Sequence, residues 1–429
     1  MKNKVFFGAI ADDFTGATDL AAMLARSGAP VSLRLGLEGL SDDAPLSAFE
    51  VVALKCRTTP VDEAVGETRE ALRWLKAKGA ERFFWKYCST FDSTDKGNIG
   101  PVSEALMTEI GATQTIYCPA FPQNGRSIYN GYLYVGDELL SDSPMRDHPL
   151  TPMRDSNLMR LLTPQVTQSV GLVGHRYVRD GAEVVVNQMA ALADAGVVHV
   201  VTDAIDDAHL TTLAKACRDM PFLTGGSAIA APLPDLYRAD GHITFDPMAS
   251  SHQETADAPI ILSGSCSAMT RKQVEIYKEQ HPAFKLEPLT LATNGAALAN
   301  AKNWLEEQPV ERAKLIYATA EPEEVQKAQD ALGREKAGAV VEHALSELAN
   351  HAKTLGARRF VVAGGETSGA VVQRLGIRKV DIGPEIAPGV PWTFAKLDGA
   401  TIAVALKSGN FGEQTFFEDA LTALAQTGS

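Results

Sequence analysis

Residues 5–19 read Val-Phe-Phe-Gly-Ala-Ile-Ala-Asp-Asp-Phe-Thr-Gly-Ala-Thr-Asp, and the choice of fold turns on them. Seven uncharged, mostly apolar residues suit a strand buried on both faces. The run stops at Asp12 and Asp13, and a helical pattern then runs from about Thr15 to Ser27, where Gly28 ends it. A buried strand that leads directly into a helix is the repeating unit of an α/β protein with a parallel sheet.

The unit recurs outward along the chain. Val51–Lys55 reads as a strand and Asp62–Lys78 as a helix closed by Gly79. Arg82–Tyr87, Gln114–Cys118, His199–Thr202 and Pro221–Thr224 extend the strand series. A second series begins at Pro259–Leu262 and continues with Lys314–Ala318, Arg359–Ala363 and Thr401–Leu406. The expected fold is α/β: two α/β domains with largely parallel sheets and an interdomain cleft, over residues 1–245 and 257–429. Residues 240–258 lack periodicity and read as the linker. Residues 119–160, rich in Pro, Gly, Asn and Asp, are too long for an ordinary connection. Tyr129, Tyr132, Leu133, Tyr134 and Val135 within them favour an ordered lobe.

Composition narrows the function. With 429 residues the chain is long enough to bury its own cores. Its 40 Lys and Arg against 53 Asp and Glu, a net charge of -13, argue against a nucleic-acid binder or an anionic-membrane protein. Cys56, Cys88, Cys118, Cys217 and Cys266 are odd in number and form no CxxC pair, which fits a reduced, cytoplasmic protein. The N-terminal apolar run is too short and too soon acidic for a signal peptide, and no apolar run is long enough to span a bilayer. The nine histidines show neither HxH nor HExxH, so a built-in transition-metal site is not expected.

The chemistry-bearing residues sit at expected strand ends, where open parallel sheets bind ligands. Asp12 and Asp13 offer paired carboxylates for binding hydroxyls and supplying a base, although one Asp before Phe14-Thr15-Gly16 also suits a plain helix cap. Arg57 and Lys86, at the ends of neighbouring strands, would form a positive pocket for an acid. Ser89 and the Ser/Thr-rich residues that follow add hydroxyl donors, and Asn124-Gly125 suggests a turn presenting Arg126. His148 is more simply structural.

The second half carries three small-residue loops: Ser263-Gly264-Ser265-Cys266-Ser267, Gly364-Gly365-Glu366-Thr367-Ser368-Gly369 and Lys407-Ser408-Gly409-Asn410-Phe411-Gly412. Glycine lets backbone N–H groups approach an anion, so three such loops point to a nucleotide phosphate site. There is no GxxxxGK[ST] P-loop, no GxGxxG after the first strand of either half, and no protein-kinase motif set.

Together these blocks resemble the four-carbon acid sugar kinase family over nearly the whole chain. The resemblance rests on residues 11–17, 86–101, 263–267, 364–369 and 407–412. Residues 86–101, 124–137 and 148–153 are similar to its 3-oxo-tetronate branch rather than to the threonate and erythronate branches. The resemblance implies ATP-dependent phosphorylation of the C4 hydroxyl of a 3-oxo-tetronate, in four-carbon acid sugar catabolism. It places the acid on residues 1–245 and ATP on residues 257–429, with Mg2+ as the cation on the ATP phosphates. Asp12 or Asp13 would be the base, with Thr15, Arg57, Lys86, Ser89 and Arg126 holding the acid. Ser263, Gly264, Ser265, Gly364, Gly365, Glu366, Thr367, Ser368 and Gly409 would cradle the nucleotide. Which carboxylate acts, the metal ligands and self-association stay open. So do a D-threonate or D-erythronate kinase and a non-catalytic sugar-acid sensor. An oxidoreductase is disfavoured by the missing dinucleotide fingerprint.

Overall fold

The structure is a computed structural model that describes residues 4–41, 45–148, 150–246 and 258–425. Most of the expected linker, residues 247–257, and Pro149 of the 148–153 block lie outside the described residues. The chain divides into two compact units, Met1–Ser250 and Ser251–Ser429.

The N-terminal unit contains β1 (Phe7–Ala11), β2 (Val31–Leu35), β3 (Phe49–Ala53), β4 (Arg82–Lys86), β5 (Thr115–Cys118), β6 (Arg126–Tyr129), β7 (Tyr132–Val135), β8 (Glu138–Leu139), β9 (Ser169–Val173), β10 (Val197–Thr202) and β11 (Phe222–Gly225). Its main sheet has the order β2-β3-β1-β4-β11-β5-β10-β9, and every one of these pairs is parallel. Phe7, Phe49, Phe84 and Trp85 pack its core. β2 and β3 carry a buried ion pair, Arg34 Nε to Glu50 Oε2 at 3.0 Å. Those charges interrupt the apolar pattern, which is why β2 escaped the periodicity reading and β3 begins earlier than expected.

After β1 the chain builds β2 and β3 on one side and then crosses to β4 on the other. The β1–β4 boundary is therefore a switch point, where an open sheet leaves a crevice at its C-terminal edge. Ala11 pairs in register with both Ala53 and Lys86, so the chain leaves all three strands at one level.

The expected lobe is ordered. β6, β7 and β8 form an antiparallel sheet, and its tight turn is Asn130-Gly131 (φ 49° and 76°), a two-residue hairpin that favours these residues. The Asp203 carboxylate fastens the turn by accepting from Asn130 N, Gly131 N and His175 N at 2.6–2.8 Å.

The C-terminal unit contains β12 (Pro259–Ser263), β13 (Ala283–Lys285), β14 (Leu315–Tyr317), β15 (Arg359–Ala363), β16 (Lys379–Ala387), β17 (Val390–Leu397) and β18 (Ala400–Lys407). The order β13-β14-β12-β15-β18 is parallel, with a switch point between β12 and β15. β17 and β16 then extend it antiparallel, joined to β18 through an Asp398-Gly399 turn (φ 50° and 77°). This hairpin departs from a purely parallel expectation. Trp392 and Phe394 of β17 bury in the core with Ile261, Val361, Phe416 and Phe417. No helix among the described residues is long and apolar enough to cross a membrane.

Candidate functional site

The β1–β4 crevice holds a compact charge cluster. Arg57 grips Asp12 with two bonds, Nε to Oδ2 at 2.7 Å and Nη2 to Oδ1 at 2.9 Å. The same Nη2 reaches Asp13 Oδ1 at 2.8 Å, and Nη1 lies 3.5 Å from Asp92 Oδ2. Asp13 caps the helix Phe14–Ala25, accepting from Gly16 N at 2.9 Å while Thr15 Oγ1 donates to it at 2.7 Å. The capping and functional roles thus fall on the same residue. Asp12 is almost fully buried, whereas the Asp13 side chain keeps 26% of its surface open.

Their ionisation separates accordingly. Burial pushes the Asp12 carboxyl above its ordinary value, and Arg57 only partly offsets this. Asp13 also feels burial, but Arg57, Lys86 and the Thr15 and Gly16 hydrogen bonds bring it below its ordinary value. The Arg57 guanidinium, despite burial, is driven further toward the charged form by Asp12 and Asp13.

Lys86 differs from the expected open cation. It is buried, and its Nζ donates to its neighbour's carbonyl, Tyr87 O, at 2.8 Å. A Cβ on Gly16 would stand 2.7 Å from that Nζ, so the glycine makes room for the ammonium. Beside it lies buried Asp19, bonded by the Ser227 hydroxyl. Burial raises Asp19 to about 6, against the pull of Lys86. The expected positive pocket is thus corrected. Arg57 is bonded directly to carboxylates, and the Lys86 ammonium lies in the field of the Asp13 and Asp19 carboxyls, so neither cation stands open.

Ser89 lies in the turn after β4, half-buried, and its hydroxyl has no protein partner among the described contacts. Arg126 is presented by the Asn124-Gly125 turn, as expected, but it donates to Asn124 O and none of its contacts joins it to the cluster. Sequence reasoning assigned no role to Asp92, Asp19 or Asn98. Asn98 Nδ2 clamps the Arg57 loop through Cys56 O at 2.7 Å and Thr59 O at 3.0 Å. Asp92 reaches Arg57 through a left-handed backbone at Phe91 and Asp92 (φ 65° and 44°), a bend that residue types alone do not announce.

In the C-terminal unit the three small-residue loops meet. Ser263, Ala363 and Lys407 end adjacent strands in register. Gly264, Ser265, Cys266, Gly364, Gly365, Glu366, Thr367 and Gly409 line one edge of a cavity of about 520 Å³. Its other wall is largely apolar, with Leu286, Pro288, Leu289, Val325, Ala328 and Val341. The loops touch closely: a Cβ on Gly409 would sit 2.8 Å from Ser265 Oγ, and one on Gly364 3.2 Å from Ser265 N. The helix Gly365–Leu375 starts inside the second loop, earlier than expected, so its first turn faces the cavity with N–H groups that no helix carbonyl can satisfy.

Two expected residues turn away from the cavity. Ser263 is buried and its hydroxyl pairs with Thr319 Oγ1 at 2.7 Å, and Ser368 is buried in the helix. The cavity therefore offers an apolar slot ending in a rim of backbone amides and hydroxyls. Such a combination suits a base with a phosphate chain. Among the described residues no three His, Cys, Asp or Glu side chains cluster as a metal cage. Glu366 is the acidic residue at the glycine edge.

The N-terminal portion matches a family model described as a sugar-binding N-terminal domain, over residues 7–233. The C-terminal portion matches a nucleotide-binding C-terminal domain, over residues 260–417. A 3-oxo-tetronate kinase from Pseudomonas fluorescens is 49% identical over 97% of both chains. Another from Burkholderia multivorans is 47% identical over 98% of both. A crystal structure from Haemophilus influenzae matches with a TM-score of 0.79 at 42% identity, covering 97% of this chain and 100% of the other.

Proposed function

Because the chain belongs to the four-carbon acid sugar kinase family and is an ATP-dependent sugar-acid kinase, we propose that it phosphorylates the C4 hydroxyl of a 3-oxo-tetronate, within four-carbon acid sugar catabolism in the cytoplasm. One observation carries this reading. An aspartate–arginine cluster occupies the strand switch point of the N-terminal unit, and a cavity edged by three small-residue loops occupies that of the C-terminal unit.

In this reading the acid binds over the N-terminal cluster. The Nη1 side of Arg57 is its loosest contact, 3.5 Å from Asp92, and is where a substrate carboxylate competes best. Ser89 offers its unpaired hydroxyl to the acid. Asp13, the more open carboxylate of the pair, orients the C4 hydroxyl and accepts its proton. Its lowered pKa is tolerable, because phosphoryl transfer asks chiefly for positioning and charge neutralisation. Asp12 serves from behind by holding Arg57.

The apolar wall of the C-terminal cavity takes the adenine, and the amides of the 264–265, 364–367 and 409 edge take the phosphates. Mg2+ would neutralise charge on the phosphates; a cation of this kind draws most of its oxygens from phosphate and water, and Glu366 is the cavity carboxylate at the glycine edge that would help hold it. A coupled ADP-release assay with a panel of four-carbon acids tests the proposal. Turnover is expected with a 3-oxo-tetronate and at most weak turnover with threonate and erythronate. A folded protein silent with all of them, or faster with the non-oxidised acids, refutes it.

A further inference from the structure

Lys407 ends β18 and is wholly buried immediately behind the third loop. Its ammonium spends its three protons on Gly409 O at 2.8 Å, Ser408 O at 3.0 Å and Thr270 Oγ1 at 3.1 Å. The Phe416 ring lies 5.8 Å away. None of these partners is a carboxylate, unlike those of Arg57 in the other unit, so the Lys407 amine is buried without a counter-ion among the described contacts.

The direction of these bonds matters. In a trans peptide the C=O and the following N–H point to opposite sides. Lys407 draws the Ser408 and Gly409 carbonyls toward itself, and Thr270 Oγ1 also donates to Gly409 O at 2.7 Å. The N–H groups of Gly409 and Asn410 are thereby turned away from Lys407, and Gly409 lines the cavity. Successive amides aimed one way form an anion-binding nest.

Resting on the nucleotide reading of this cavity, we infer that Lys407 is a positioning residue for the phosphate chain: it orients the 408–410 peptides toward the phosphates, and its charge finds its counter-ion in them. Burial alone pulls this ammonium down to about 7, consistent with a cation that lacks an acidic neighbour in the nucleotide-free protein.

Calorimetric titration of the full chain with ATP, ADP, AMP and adenosine tests the inference, comparing wild type with Lys407→Met. The expected result is an affinity loss of about tenfold or more for ATP and ADP, a smaller one for AMP, and a change within about twofold for adenosine. A merely structural role would weaken all four ligands alike. An equal loss across the series, or unchanged ATP affinity, overturns the inference. Should Lys407→Met fail to fold, Lys407→Gln retains two donors without the charge and is read on the same series. Wild-type protein that binds none of the four would instead refute the nucleotide site itself, an outcome distinct from a wild type that binds and a variant that binds identically.

Discussion

Replacing Arg57 with Met removes the cation that holds three carboxylates together while keeping a side chain of similar length. Arg57 is bonded to Asp12 at 2.7 and 2.9 Å and to Asp13 at 2.8 Å, with Asp92 at 3.5 Å. Its side chain is 23% exposed and that of Asp12 only 4%, so the pair is governed by burial rather than by solvent screening. Removing one partner of such a pair costs about 3–5 kcal/mol, because the other charge is left uncompensated. For a unit of this size that is roughly 6 to 20 °C in melting temperature.

The cost depends on pH in a definite direction. Burial already raises Asp12, and Arg57 is the main opposing influence on both Asp12 and Asp13. Without Arg57 the Asp12 carboxyl rises further above the unfolded value of about 3.9, and Asp13 loses its largest lowering influence. A group whose folded pKa lies above its unfolded one favours the fold when protonated, and that stability is lost as pH climbs between the two values. The deficit of Arg57→Met against wild type is therefore smaller at about pH 4.5 than at about pH 8. Thermal unfolding followed by circular dichroism at both pH values measures it. A deficit that is the same at both, or larger at the lower pH, refutes the electrostatic account of the cluster.

Further outcomes follow from the same geometry. Asp13→Asn keeps a competent cap for the helix Phe14–Ala25, so melting should move little while turnover falls about a hundredfold or more; steady-state kinetics near the wild-type level would remove Asp13 from the reaction. Gly409→Ala places a Cβ 2.8–2.9 Å from the Ser265 and Ser267 hydroxyls, and should raise KM for ATP by about tenfold while leaving KM for the acid unchanged. Cys266 lines the C-terminal cavity and burial raises its thiol pKa, so alkylation should be slow at pH 7, quicken as pH rises and, if that cavity takes the nucleotide, slow again with ADP present. Mass spectrometry of the modified peptide reads this, and labelling indifferent to ADP would contradict the cavity assignment.

Much of this organisation is legible in residue types and spacing. Buried parallel strands need uninterrupted apolar runs, so β1, β4, β12 and β15 are evident, as are the polar residues where each strand stops. Strands that break that rule are hidden: β2 carries Arg34, neutralised by Glu50 across the sheet. The Lys379–Leu397 hairpin is hidden for another reason, since its burial depends on the Phe416–Ala425 helix, where Ala420 O accepts from Trp392 Nε1 at 2.8 Å.

At the sites the division is similar. Composition and order along the chain were sufficient to single out Asp12, Asp13, Arg57, Lys86 and three small-residue loops, because strand ends collect ligand-binding groups whatever the ligand. Tertiary structure alone decided which of those groups remain open. Arg57 became the partner of Asp12, Asp13 and Asp92, Lys86 was buried against its neighbour's carbonyl, Ser263 and Ser368 turned inward, and Lys407 emerged as a buried amine behind a glycine loop. Local sequence records which charges a strand end carries; how those charges are neutralised depends on groups brought beside them from far along the chain, and that pairing exists only once the chain has folded.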